Sequence, residues 1–395
     1  MKREKSKGKK VKKAFHFKLP PSNFTLPFFL VCLLTLSGCW DLTEVDRRTF
    51  VTTIGIDATT SGETSVMVQI PLPQRMLPSS ATGRGNVQGK QFSATSVTAR
   101  TVNEALNILQ TKTYYELVVE QNKSIVIGET AARQGTEPLF EYFIRNPKAP
   151  PQALIFVAHQ HTAGEVLSFT PGQETLPGLQ FTGAAQSAAK YDRTYFTSVG
   201  QFMSRAFHTP TDAFAPLIDL DEEEGMYIEA GLAAFDGFHL AGELDMEETQ
   251  MYGLLSGLMK AGNLTVGLPG AEVLSLRNVN GRSQIQVKTS GTNELYFIVT
   301  VKINGSLSDL APNPKEIKPA DRRRLELAMQ KVLAQKISRV IQKLQSYNSD
   351  IVNFGEELRI QRQDLWKRLK WKQVFPKVQF KVIVKAKIER DGTLR

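Results

Sequence analysis

Cysteine is nearly absent from this chain, which has two cysteines in 395 residues. Cys32 lies in a short apolar run that we expect to be removed, and Cys39 follows that run directly. With a single cysteine left, the mature chain can form no internal disulfide, so its stability must come from a buried core. Long apolar runs are also scarce. The best one after Cys39, residues 295–303, contains Lys302 and is far shorter than the ~20 residues that cross a membrane.

Residues suited to catalysis or metal binding are sparse as well. No Ser–His–Asp or Cys–His arrangement stands out among the five histidines of the chain. His159, His161 and Glu165 suggest a metal site, but a helix expected from residue 162 favours a surface or capping role. The acidic run at Asp219 and residues 221–224 lacks the glycine and ligand spacing of a calcium loop, which favours a solvated turn. We therefore predict no enzymatic activity, no catalytic residue, no metal and no cofactor beyond a covalent lipid.

Positive charge is concentrated at the start of the chain. Residues 1–18 carry nine basic residues and one acid, Glu4, and residues 19–38 carry no charge. Removing this head, which contributes a net +8, lowers the formal charge from +10 to +2. The basic pI therefore reflects the head, and since no RNA- or DNA-binding motif is present we expect no nucleic-acid partner.

A basic head followed by a short apolar run, residues 28–36, is typical of a secretory signal peptide. The run ends in Leu36-Ser37-Gly38-Cys39, the pattern of a lipobox. We expect cleavage between Gly38 and Cys39, with a diacylglyceryl lipid of the palmitate type on the cysteine sulfur. Two acyl chains give a stable membrane anchor, because each buried methylene contributes roughly 0.8 kcal/mol. The alternative is an ordinary signal peptide with a chance cysteine.

Residues 1–38 are the predicted signal peptide. The chain that follows divides into three predicted domains. Residues 39–172 mix strands and helices in an N-terminal α/β domain, with a loop expected at 71–89. Pro and Gly residues at 170–178 mark a linker to a middle domain, residues 173–263, with a hairpin turn at Asp236-Gly237. Residues 264–395 form a C-terminal α+β domain, with a tight turn at Asn280-Gly281. The fold class is a multi-domain mixed α/β (α+β) ectodomain, whose last domain is an antiparallel sheet packed on a long helix.

That long helix, expected at about residues 320–347, has two contrasting faces. An apolar stripe at three- and four-residue steps predicts burial in the last domain; it comprises Leu325, Met329, Val332, Leu333, Ile337, Val340, Ile341 and Leu344. The polar side carries seven basic residues, namely Arg322, Arg323, Arg324, Lys331, Lys336, Arg339 and Lys343. This basic face would suit anionic headgroups, an acidic partner or solvent, and the sequence leaves the choice open.

Several short blocks, taken in order, resemble the Ger(x)C family, the C-subunit lipoproteins of spore-germination nutrient receptors. The first block comprises residues 38–41, Glu44 and residues 55–57. The second comprises residues 125–129, Ala131 and Gly135. The third block comprises residues 231–235, residues 240–244, Glu248 and Thr249. The fourth comprises Asp350, Phe354, Gly355, Trp366, Trp371 and residues 378–388. The resemblance spans essentially the whole mature chain. The long basic head departs from the family pattern, and it leaves the assignment of the start codon open.

The resemblance implies a three-domain mixed α/β protein, lipid-anchored on the extracytoplasmic face of the inner spore membrane. It also implies assembly with two membrane-embedded receptor subunits. The first hypothesis is therefore a non-enzymatic C subunit needed for receptor assembly or for signalling of nutrient-triggered germination. The alternative is a solute-binding lipoprotein of a transporter, which would show two lobes with repeated strand and helix alternation.

Overall fold

The computed structural model of the chain describes residues 47–72, 90–170, 177–208, 210–291, 294–312 and 318–389. The signal peptide, the lipobox residues Leu36, Ser37, Gly38 and Cys39, and residues 73–89 of the predicted loop lie outside the described residues. No helix in the described ranges is both long enough and apolar enough to cross a bilayer.

The larger sheet has eight strands in the order β10-β9-β8-β7-β6-β2-β3-β4. They are β2 (Thr53–Ala58), β3 (Thr64–Pro71), β4 (Phe92–Ala99), β6 (Ser124–Ile127), β7 (Leu154–Ala158), β8 (Phe214–Asp221), β9 (Met226–Asp236) and β10 (His239–Leu244). The central strands β2, β6, β7 and β8 run parallel. Antiparallel strands flank them on both sides. Two further short strands, β1 (Arg48–Phe50) and β5 (Glu116–Val118), pair in parallel.

Helices cover both faces of this sheet because its central strands are apolar on both sides. All four residues of β6 are buried, as is typical of parallel strands between helices. One face packs against α1 (Val102–Lys112), α2 (Glu129–Gln134), α3 (Glu137–Arg145) and α6 (Val199–Phe207). The other face packs against α4 (Ala163–Ser168) and α5 (Pro177–Lys190).

The predicted hairpin around Asp236-Gly237 is confirmed. Strands β9 and β10 pair in antiparallel register on either side of the turn, and Gly237 has a φ of 59°, which suits glycine. This hairpin belongs to the larger sheet, together with β8. The predicted division of the chain at residues 172 and 173 stays a prediction, although strands from both sides of that position hydrogen-bond within one sheet.

The smaller sheet has the strand order β11-β12-β13-β14. Its strands are β11 (Gly262–Leu268), β12 (Glu272–Thr289), β13 (Leu295–Ala311) and β14 (Gln379–Glu389). Packing of this sheet on the long helix α8 (Pro319–Ser346) confirms the predicted layout. However, β14 runs parallel to β13, so the sheet is mixed and the antiparallel prediction was wrong for its last strand. The helical crossover is the reason, because it returns the chain to the end of the sheet from which β13 starts.

The expected tight turn at Asn280-Gly281 was also wrong. Both residues lie within β12, which pairs with β13 from Val273 to Thr289. The polar pair instead marks an irregularity, since the register shifts between Arg277 and Asn280. A bulge in a long strand uses the same residue types as a turn.

The buried stripe of α8 follows the prediction. Its buried residues are Leu325, Glu326, Met329, Leu333, Ile337, Val340, Ile341 and Leu344, whereas Val332 is half-buried. The remaining described elements are α7 (Met246–Leu255), α9 (Phe354–Gln361), α10 (Gln363–Trp366), α11 (Trp371–Val374) and a 3-10 helix (Phe375–Lys377). One apolar core joins α7, α8 and the smaller sheet to Leu232 and Leu244 of the larger sheet.

Candidate functional site

The carboxyl ends of β2, β6 and β7 meet at one edge of the larger sheet, where ligand sites of α/β sheets usually lie. Asp57, in β2, accepts hydrogen bonds from the backbone N–H groups of Ala163 (2.7 Å) and Gly164 (2.9 Å) at the start of α4. Burial raises the pKa of Asp57, and the two hydrogen bonds oppose that shift. A Cβ at Gly128, after β6, would lie 1.9 Å from Asp57 Oδ1. Asp57 therefore caps the start of α4, and the absence of a side chain at Gly128 leaves room for its carboxylate.

The histidine pair lies at the same edge, but its members face different partners. His161 Nε2 is 3.1 Å from Asp219 Oδ1, and its Nδ1 is 3.9 Å from Glu165 Oε2. His159 Nδ1 is 3.2 Å from Glu243 Oε2 in β10. Glu165 itself completes a capping box with Thr162. Across the described part of the chain, no three His, Cys, Asp or Glu side chains are grouped to hold a metal ion.

Residues 222–225 of the acidic run connect β8 and β9, and the exposed glutamates there match the predicted solvated turn, whereas Asp219 and Asp221 are half-buried in β8. Asp221 Oδ1 accepts a hydrogen bond from the backbone N–H of Glu224 (2.9 Å), and Gly225 follows with a φ of 63°. The three glutamates at 222–224 are exposed. Local backbone geometry therefore explains why the turn has an aspartate at position 221 and a glycine at position 225.

The basic face of α8, which the sequence left open, contacts acids of neighbouring elements. Arg324 forms two hydrogen bonds with Glu272 in β12, at 2.7 and 2.8 Å. Lys336 and Lys343 contact Glu247 and Glu248 in the first turn of α7. Three of the seven basic residues thus bind other elements of this chain, and Arg323 pairs with Glu326 on α8 itself.

A buried polar network connects the segment after α8 to the larger sheet. Its first member, Asp350, is 1% exposed and accepts hydrogen bonds from the backbone N–H groups of Phe354 (2.9 Å) and Gly355 (2.7 Å). The indole N–H of Trp371 donates a third, at 3.0 Å. Burial, together with the nearby Asp212 carboxylate, raises the pKa of Asp350 to about 6, while these three hydrogen bonds act in the opposite direction.

Asp212, just before β8, is the second member of the network and is also 1% exposed. Both of its carboxylate oxygens lie 2.7 Å from Lys372 Nζ, which also contacts Asp236 Oδ1 at 2.5 Å. The Asp212 carboxylate further accepts from the backbone N–H groups of Gly237 and Asp350. One lysine thus bridges the start of β8, the hairpin turn and the segment that follows α8.

Arg205 of α6 completes the connection, and among the described residues its hydrogen-bond acceptors are all uncharged. Its Nε donates to the Asp212 carbonyl (2.8 Å), and its Nη2 donates to the Ile351 carbonyl (2.7 Å) and to Asn353 Oδ1 (2.8 Å). Asn353 has a φ of 75°, a left-handed conformation that asparagine tolerates better than most residues.

Tandem sequence models of one family match the chain. The model described as "Spore germination protein N-terminal domain" matches residues 41–220. The model described as "Spore germination B3/GerAC like, C-terminal" matches residues 230–392. The chain belongs to the GerAC family of spore germination proteins. This family comprises C subunits of germinant receptors, and the resemblance inferred from the sequence blocks is therefore confirmed.

Three relatives from Bacillus subtilis (strain 168) match along nearly their full lengths. Spore germination protein B3 is 25% identical over 383 residues, covering 94% of this chain and 98% of the relative. The putative spore germination protein YfkR is 24% identical, covering 92% and 95%. Spore germination protein KC is 23% identical, covering 92% and 94%. Each of the three alignments thus covers more than nine-tenths of both chains.

The crystal structure of the GerBC protein has a similar fold. It superimposes with a TM-score of 0.53 at 19% sequence identity, over 88% of this chain and 99% of the GerBC chain. The mixed α/β architecture expected from the sequence is therefore confirmed, and the GerBC protein has a similar fold.

The family-like blocks include several residues that the structure places in structural contacts. Asp57 caps α4 at the sheet edge, and Gly128 leaves room for its carboxylate. Asp350, Gly355 and Trp371 belong to the buried network. Sequence reasoning noted these residues without a role and missed Asp212, Lys372 and Arg205. No local pattern could have found that group, because Lys372 lies 160 residues from Asp212.

Proposed function

We propose that this protein is a lipid-anchored, non-enzymatic C subunit of a spore-germination nutrient receptor. The observation that carries the proposal is the lipobox directly before two tandem GerAC-family matches. The lipid, on Cys39, would hold the domains at the extracytoplasmic face of the inner spore membrane. Confinement to that surface raises the effective concentration of the protein near integral partners.

The proposed partners are two membrane-embedded receptor subunits, and the proposed role is assembly of the receptor or transmission of its signal. A shared apolar core and the Asp212–Lys372 network join the larger sheet to the smaller one. A partner that displaces one sheet would therefore disturb the other. Nutrient binding to the assembly would shift a conformational equilibrium in which this subunit participates.

The solute-binding alternative has less support from the architecture. It would require two lobes with repeated strand and helix alternation. The larger sheet alternates strands with helices, whereas the smaller one groups three strands before α8 and adds β14 after it. The dissimilar halves favour the receptor-subunit proposal.

The lipid anchor can be tested with the two cysteines of the chain. In a sporulating host without redundant receptors, we expect Cys39→Ala to remove the protein from the spore membrane fraction and to abolish nutrient-triggered germination. Cys32→Ala is the matched control, since Cys32 lies in the segment proposed to be cleaved, and it should behave as wild type. Mass spectrometry of the native protein should find Cys39 at the mature terminus with a diacylglyceryl group. A free thiol, or normal germination of Cys39→Ala spores, would refute the anchor.

The partnership needs a separate experiment. Crosslinking in intact spore membranes, followed by mapping of the crosslinked residues, should link this chain to both integral receptor subunits. Recovery of the lipidated protein without either subunit would refute receptor membership and leave the anchor intact.

A further inference from the structure

A cavity of about 430 Å³ opens between α6, α7 and the segment that follows α8. This volume is within the range of small-molecule sites. Phe196, Phe214 and Tyr252 provide aromatic walls, and the hydroxyl-bearing Ser204 and Ser256 provide polar groups. Arg205 is the charged residue of the lining, and none of the described lining residues is acidic.

The Arg205 side chain is fixed in place, yet part of its guanidinium is unused. Its Nε and Nη2 atoms donate to two backbone carbonyls and to the Asn353 amide oxygen, all neutral acceptors. Its Cζ lies 5.2 Å from the centre of the Phe214 ring. Within the described ranges, Nη1 has no hydrogen-bond acceptor and no carboxylate lies within 4.0 Å of the guanidinium nitrogens.

Asp212 and Asp350, the two buried acids of the adjoining network, have other partners. Asp212 accepts hydrogen bonds from Lys372 and two backbone N–H groups, and Asp350 accepts three within its own network. Neither residue lines the cavity. An incoming anion would therefore meet a pre-positioned cation whose hydrogen bonds all go to uncharged oxygens. Charge-assisted hydrogen bonds to such a cation are about twice as strong as neutral ones.

We propose that this cavity binds a small organic acid, with its carboxylate on Arg205 Nη1 and its apolar or aromatic body against the cavity wall lined by Phe196, Phe214 and Tyr252. The ligand would contact Arg205 and Tyr252, each of which also donates a hydrogen bond to the Ile351 carbonyl. Binding would therefore act on the segment that leads into the Asp350 network. The site does not depend on the lipid at Cys39.

The test uses the full chain in lipid nanodiscs, with empty nanodiscs as the blank, and fluorine NMR of 4-fluorophenylacetate. Its amide and 4-fluorophenethylammonium are the neutral and cationic comparisons. We expect the acid to bind at least about tenfold more tightly than the amide, a difference equivalent to roughly 1.4 kcal/mol. Equal binding of acid and amide, or no binding of the acid at about 10 mM, would overturn the proposal.

Gln201→Glu keeps the helix cap and competes with the ligand. Gln201 Oε1 accepts the Ser198 backbone N–H at the start of α6, and a glutamate can do the same. The new carboxylate lies one helical turn before Arg205, in position to pair with it. We expect this variant to weaken binding of the acid about tenfold. Asn107→Glu on α1, exposed and outside the cavity, adds the same charge and should leave binding unchanged. Equal effects of the two variants would overturn the proposal.

Discussion

At the residue scale, Asp350 shows what a buried carboxylate requires. It is almost fully removed from solvent, and three N–H donors replace the water that an exposed carboxylate would bind. A buried charge without such partners would cost several kcal/mol, on the order of 3–5. The donors come from α9 and α11, so the side chain also fixes how these helices meet the end of α8.

The pKa of Asp350 predicts a pH dependence of stability. Folding raises this pKa from 3.8 to about 6, so the folded state holds the proton more tightly than the unfolded chain. The resulting stabilisation is present below about pH 4 and is lost as the pH rises through about 6, a change of about 3 kcal/mol. We expect wild type to lose about this much stability relative to Asp350→Asn between pH 4 and 7 in urea unfolding. A difference that is constant with pH would contradict the assigned pKa.

Gly355 makes a second residue-scale prediction. A Cβ at this position would lie 2.5 Å from Trp371 Nε1 and 2.7 Å from Pro210 Cβ. Gly355→Ala should therefore lower the free energy of unfolding by about 1–3 kcal/mol through overpacking. Gly183→Ala is the control, because an alanine there meets nothing within 4 Å on α5. That change should be neutral or stabilising by up to about 1 kcal/mol, as thermal unfolding of both variants would show.

At the element scale, α8 was the most predictable part of the fold, and β14 was predictable only in position. The stripe of α8 repeats at helical spacing over many turns, so its periodicity identifies both the helix and its buried face. The direction in which β14 pairs has no such local signature. It depends on the end of the sheet to which the crossover returns the chain. That end is settled only when the whole C-terminal region packs together.

Two leucines of α8 test which face is buried. Leu333 is fully buried, whereas Leu327 is 51% exposed. We expect Leu333→Ala to cost about 2–5 kcal/mol of stability, because it leaves a cavity in the core. Leu327→Ala on the same helix should change stability by less than about 0.5 kcal/mol. Comparable losses in chemical denaturation would place the packed face of α8 elsewhere.

At the scale of the whole molecule, the two sheets are held together by side chains that are distant in the sequence. Sequence blocks predicted the family, the mixed α/β class and most elements, because each rests on local composition or spacing. The Asp212–Lys372 contact forms only in the completed fold. His159 and His161, which the sequence suggested as a metal site, contact different acids. Long-range polar pairing is the part of this fold that a single sequence does not reveal.

Lys372 tests how tightly the sheets are joined. Lys372→Met keeps the length of the side chain but removes the charge that Asp212 and Asp236 share. We expect faster amide hydrogen exchange in residues 348–355 and around Asp212, since local opening there becomes easier. Lys331→Met, at an exposed position of α8, is the charge-matched control and should leave exchange at these amides unchanged. Unaltered exchange in both variants would show that the apolar core alone joins the sheets.

The indole of Trp371 gives the buried network an optical signal of its own. Its N–H is held 3.0 Å from the Asp350 carboxylate, so its excited state experiences the charge of that group directly. Fluorescence emission from Trp371 should therefore change when the segment separates from the larger sheet or when Asp350 gains a proton. With Trp40 and Trp366 replaced by phenylalanine, Trp371 would be an intrinsic reporter, and the movement proposed for the receptor could be followed in real time without an added dye.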